Sequence, residues 1–199
     1  HPRSPEALQA ALARHALSPG GYLLCVATLE PRKNLTRLLR AFRLLPADLR
    51  QRHPLVLVGV RGWHTQALEA AVGSLEQRGE VRRLGYVEEA DLPLLYAGAH
   101  AFAFPSLHEG FGLPPLEAMA SGVPVLASDA SCLPEVLGDA ALLVDPLDEQ
   151  AIAVGLQRAI EDAAWREQAR TRGLEHAARY SWARCVADTL NVYRKAMQA

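Results

Sequence analysis

The stretch HAFAFPSLHEGFGLPPLEAMASGVPVLAS, His100 to Ser128, decides how the rest of this chain reads. An apolar run from Ala101 to Phe104 stops at Pro105, and a loop carrying Glu109, Gly110 and Gly112 follows. Pro114 and Pro115 then sit where a helix begins, because its first turn has no use for the backbone donors that proline lacks. Gly122 and Pro124 close that helix, and a second apolar run extends from Val123 to Ala127. The predicted order is strand, loop, helix, strand, with Glu117 in the first helical turn.

A helix opened in this way aims the unpaired N–H groups of Gly110, Phe111, Gly112 and Leu113 outward at a positive dipole end. Phosphate or sugar oxygens are the ligands such an end attracts. Gly110 and Gly112 let the backbone approach them with no Cβ in the way. Glu109 and Glu117, with seven residues between them, flank these donors. Taken singly, Glu117 reads as an acid favoured near a helix N-terminus and Glu109 as a solvated loop charge. Taken together beside an anion site, they make sense as acceptors from sugar and ribose hydroxyls, each such bond contributing about 1.5–3 kcal/mol.

From His108 to Val125 the string HEGFGLPPLEAMASGVPV resembles the signature of the family 4 retaining glycosyltransferases. The glutamate spacing alone is a weak motif, whereas the whole string is a strong one, and the likeness runs from about Tyr22 to Tyr193. Members of that family have the two-domain B-type fold, with this signature in the C-terminal, nucleotide-sugar-binding domain. The resemblance implies that Lys33 contacts the donor's phosphates and that the loop of Gly85, Tyr86 and Val87 holds its base, largely through backbone groups. It implies that Glu109 positions the donor sugar, that Glu117 accepts from the ribose, and that the Gly110–Leu113 amides help to carry the leaving diphosphate. Family members often have an arginine five residues before the lysine, where this chain has Thr28. Arg32 is then the second cation within reach of the same phosphate.

Outward from the central stretch, the chain reads as α/β, a Rossmann-like doubly wound parallel sheet with C-terminal helices. Continuous apolar runs at Tyr22 to Thr28, Leu55 to Val58, Val81 to Leu84 and Ala141 to Val144 suit strands covered on both faces. Asn34 is placed to cap a helix whose Leu35, Leu38, Leu39 and Phe42 share a face. Arg32 and Lys33 thereby fall at a strand end and a helix start, the ligand edge of a doubly wound sheet. Gly59 and Gly62 do not complete a dinucleotide fingerprint, which disfavours a nicotinamide cofactor. Helices are expected from about His64 to Gln77, after the acidic run Glu88 to Asp91, after Asp148, and over the last two stretches of the chain. Residues 1–20 read as a linker helix with Ser4 as its cap, 21–180 as the donor domain, and 181–199 as a crossover helix. The chain begins at His1, and the resemblance places an N-terminal, acceptor-binding domain before it.

The formal charge of −1 gives no reason to expect nucleic acid as a partner. Cys25, Cys132 and Cys185 lack metal or redox spacing and read as reduced packing residues of a cytoplasmic protein. Seven histidines are scattered without metal-ligand spacing, and only His108 adjoins the central loop. No metal and no cofactor is expected beyond the nucleotide-sugar substrate. The wording around Lys33 resembles mannosyl- and rhamnosyl-type transferases, so a GDP-sugar is favoured over a UDP-sugar, with a glycan or lipid-linked acceptor. The resemblance also allows peripheral association of the whole enzyme with the inner face of the cytoplasmic membrane. The alternatives are a noncatalytic nucleotide-sugar-binding domain, or another B-type enzyme such as a phosphorylase or an epimerase.

Overall fold

The computed structural model describes residues 5–63 and 66–198. Ser4 and His64, expected to cap or open helices, lie outside the described residues. In chain order the elements are α1 (Pro5–Arg14), β1 (Leu23–Val26), α2 (Leu35–Arg43), α3 (Ala47–Arg52), β2 (Leu55–Val58), α4 (Gln66–Gln77), β3 (Val81–Gly85) and α5 (Leu92–Gly98). They continue with β4 (Ala101–Phe104), α6 (Leu113–Ala120), β5 (Val125–Ser128), α7 (Leu133–Leu137), β6 (Leu142–Val144), α8 (Glu149–Glu161), α9 (Ala163–Ala177) and α10 (Trp182–Ala196).

The strands form one parallel six-stranded sheet in the order β3-β2-β1-β4-β5-β6. Every residue of β2, β4 and β5 is buried, which is why these segments read as unbroken apolar runs rather than alternating ones. Side chains of successive strand residues point to opposite faces, and the core divides accordingly. Leu23 and Cys25 face a layer from α2, α4 and α8, whereas Tyr22 and Leu24 face one from α1, α5, α6 and α7. The chain direction across the sheet reverses between β1 and β4. A crevice opens at the carboxyl ends of the strands at such a switch point.

Several expectations are corrected. The first strand is shorter than Tyr22 to Thr28, because the chain turns into a short 3-10 helix at Pro31–Lys33. The helix α3 was not foreseen. Only Leu49 among its residues is buried, so it has no apolar stripe to read, and Arg50 holds it by pairing with the buried Glu80. Glu80 is 2% exposed. Burial alone would raise its carboxyl, but hydrogen bonds from Arg50 and Arg78 hold it below the usual carboxylate range. Asp91 precedes α5 without capping it and instead pairs with Arg14 and His15, tying α1 to α5. Asp148 does cap α8, accepting from the amides of Gln150 and Ala151. Of the three cysteines, Cys25 is buried and Cys132 packs half-buried against the core as expected, whereas Cys185 is exposed.

At the amino-terminal edge of the sheet, His53 ahead of β2 and His100 ahead of β4 lie with ring centroids 4.3 Å apart. Burial, together with His100, Arg52 and Arg166, lowers the His53 pKa from 6.5 to about 4. His100 is lowered too, chiefly by burial, while its Nε2 lies 3.2 Å from the Ile160 carbonyl. Between those two His53 values the unfolded chain binds the proton that the folded one refuses, so stability falls as pH drops through that window. Denaturant midpoints measured across it should fall more steeply for the wild type than for His53→Phe, which keeps a ring beside His100 and has nothing to protonate.

Candidate functional site

Three loops meet at the switch point, and backbone-directed hydrogen bonds join them. Leu107 N donates to Arg32 O at 2.7 Å, linking the loop after β4 to the turn after β1. Asn34 was expected to cap α2, but its backbone is left-handed and its side chain makes no cap bond. Its amide nitrogen instead donates to the carbonyls of Pro105 at 3.0 Å and Pro146 at 2.7 Å. That places one side chain across the loops following β1, β4 and β6. Ser128 completes the set by donating to the Ser106 carbonyl at 2.6 Å.

Within this frame, Lys33 and Glu109 face each other at 2.6 Å, Lys33 9% and Glu109 8% exposed. Arg32 lies 2.9 Å from the other carboxylate oxygen of Glu109. Its Nε is also 2.6 Å from Glu30, an ion pair off the angle of a hydrogen bond. The Ser106 hydroxyl has one hydrogen, and the shortest of its contacts, 2.6 Å, is to Glu109 Oε1. Burial would push the Glu109 carboxyl up, but hydrogen bonds from Lys33, Ser106 and Arg32 and the Lys33 charge keep it below the usual range. The Phe104 ring lies 5.1 Å from Lys33 Nζ and adds a cation–π contact.

The backbone of Glu109 is held as firmly as its side chain. Ser131 Oγ donates to its carbonyl at 2.9 Å, and Cys132 Sγ lies 3.3 Å from the same oxygen. Beyond it the amides of Gly110, Phe111 and Gly112 meet no acceptor among the described residues. Phe111 stands edge-on to Tyr180 at 5.9 Å and remains largely exposed. Gly112 takes φ +94°, and a Cβ there would come within 2.5 Å of the buried Leu133. Only glycine satisfies both conditions.

The helix α6 begins at Leu113, so Glu117 falls in its second turn rather than its first. Glu117 is exposed, and the buried Tyr96 hydroxyl donates to it at 3.0 Å. Burial raises the Tyr96 phenol pKa, and Glu117 raises it further, so this group stays a donor. Neither Glu109 nor Glu117 is among the residues that line the space at Gly85 and Tyr86. Gly85 and Tyr86 line a cleft of about 510 Å³ with Gly59, Arg61, Glu69 and Arg83, beyond the carboxyl ends of β2 and β3. Tyr86 is 70% exposed, whereas Val87 is buried. The sequence reading overlooked Ser106, Ser131 and Tyr96. A lone Ser or Tyr carries no spacing signal, and their roles emerge only when the loops are brought together.

Sheet order, crevice and flanking helices define a Rossmann-like α/β domain. The chain belongs to the glycosyl transferases group 1 family, which it matches over residues 14–176. It is 47% identical to the O-antigen chain mannosyltransferase B of Escherichia coli over 193 residues, covering 97% of this chain and 51% of that protein. It is 36% identical to the serotype-specific mannosyltransferase WbdA of Escherichia coli, over 98% of this chain and 24% of the relative. The chain thus spans about half, or less, of the length of these relatives. Among solved structures, sucrose-phosphate synthase from Thermosynechococcus elongatus superposes with a TM-score of 0.79 at 27% identity, over 94% of this chain and 48% of that one. Anabaena HepE, solved with UDP and glucose, shares the fold with a TM-score of 0.81 at 22% identity, over 96% of this chain and 53% of its own.

Gly112→Ala should lower unfolding stability by about 1–3 kcal/mol, combining a left-handed backbone with a clash against Leu133. Denaturant titration against Gly110→Ala, where a Cβ meets open space, isolates that cost.

Proposed function

We propose that the chain is the donor-binding half of a retaining, metal-independent glycosyltransferase that moves mannose from GDP-mannose to a glycan or lipid-linked acceptor. One observation carries this reading: two cations, Lys33 and Arg32, meet Glu109 beside the unengaged amides of Gly110 to Gly112 at the switch point. The names of the Escherichia coli relatives supply the mannose.

When the bond from the sugar's anomeric carbon to the diphosphate oxygen breaks, positive charge develops on the sugar ring and negative charge on the diphosphate. Fixed cations and N–H donors aimed at the developing negative charge are usually the largest catalytic contribution. In this reading Lys33, Arg32 and the loop amides, Leu113 included, supply it, and Glu109 orients the sugar through its hydroxyls. Glu117, fixed by Tyr96, accepts from the ribose, and the cleft at Gly85 and Tyr86, with Val87 behind it, receives the base. Acceptor contacts come from the other half of the protein. The exposed apolar face of α10, with Trp182 78% exposed and Val186, Leu190 and Tyr193 also in solvent, suits a helix that packs against that half.

Calorimetric titration of the chain with GDP and UDP, with and without magnesium, tests the reading. GDP should bind more tightly than UDP, equally well without the metal, and both Lys33→Ala and Glu117→Ala should weaken it by about 10-fold or more. No mannose should be transferred until the remaining half is supplied. Binding indifferent to both substitutions would place the donor elsewhere.

A further inference from the structure

The two cations assigned to the diphosphate are already occupied. Lys33 Nζ sits 2.6 Å from one oxygen of Glu109, and Arg32 sits 2.9 Å from the other. With Glu30 paired to the far side of Arg32, two positive groups face two carboxylates and the cluster is balanced. A buried ammonium requires such a partner, since an isolated charge out of water costs several kcal/mol. A diphosphate brings further negative charge to the same place. It competes with that carboxylate for these donors, because anions gathered around the same cations repel each other.

From this we infer that Glu109 is an internal stand-in for the donor's diphosphate. It neutralises Lys33 and Arg32 in the empty site and surrenders them when the diphosphate arrives, which turns its carboxylate toward the sugar. The inference rests on the donor-site reading above and adds an order of events, phosphates before sugar. Ser106 is the positioning residue. Its hydroxyl bonds the same carboxylate oxygen as Lys33 and is seated on a segment whose carbonyl accepts from Ser128. The anchored Glu109 backbone confines the exchange to the side chain.

The opposite expectation is concrete: a residue that only contacts sugar is silent toward a ligand without sugar. The chain, Glu109→Gln and Ser106→Ala are titrated with GDP, UDP and GDP-mannose at fixed ionic strength. Glu109→Gln, which keeps the shape and loses the competing charge, should bind the preferred nucleoside diphosphate about tenfold more tightly than the wild type. Ser106→Ala should gain about threefold by loosening the stand-in, and it carries the test should Glu109→Gln fold poorly. GDP-mannose should outbind GDP in the wild type and lose that advantage in Glu109→Gln. Wild-type binding with no gain in either variant overturns the inference and leaves the donor site standing. An absence of GDP and UDP binding in all three proteins overturns both.

Discussion

A lysine ammonium is stable away from water only when its charge is matched nearby, and the buried Lys33 depends on Glu109 for that match. The pairing joins the turn after β1 to the loop after β4, the two parallel strands between which the order of strand addition reverses. Much of the surrounding architecture serves it. Ser106 shares the carboxylate, Ser131 and Cys132 fix the backbone that carries it, and Phe104 lies against the ammonium. Glu109 has its pKa lowered despite its burial, as expected where hydrogen bonds to the charged form outweigh desolvation.

The parts of the fold legible in the sequence were those that burial dictates. Leu55 to Val58 and Ala101 to Phe104 are strands with the bounds their apolar runs indicate, because a strand covered on both faces leaves no polar position to blur its ends. The helix α3 was hidden because an arginine–glutamate pair, rather than an apolar face, holds it. Asn34 misled in a different way. Its residue type favours a cap, but tertiary contacts across 71 and 112 residues of sequence claimed its side chain first. For the candidate site, the string around Glu109 pointed to the loop, and the family resemblance it carries pointed to Lys33. What sequence spacing does not carry is that the two touch.

The two edges of the sheet handle buried ionisable groups in different ways. At the carboxyl edge, charges are buried in matched pairs with free amides beside them. At the amino edge, His53 and His100 are pressed together with arginines near them, and protonation is resisted. The same edge also carries the buried Glu80, matched to Arg50 and Arg78, so charge is kept where it is paired and resisted where it is not. Acid therefore acts on the whole fold through the histidines, at a pH above the one at which the lowered carboxyl of Glu109 itself takes up a proton.

The cross-links that hold the loops together end mostly on main-chain oxygens. Asn34 bonds the carbonyls of Pro105 and Pro146, Ser128 that of Ser106, and Ser131 that of Glu109. Every residue type supplies that oxygen, whatever its side chain. The side chains lining the mouth are therefore free to drift without unfastening the frame beneath them. A scaffold tied in this way tolerates point changes at its mouth, and it confines sequence novelty to that exposed surface.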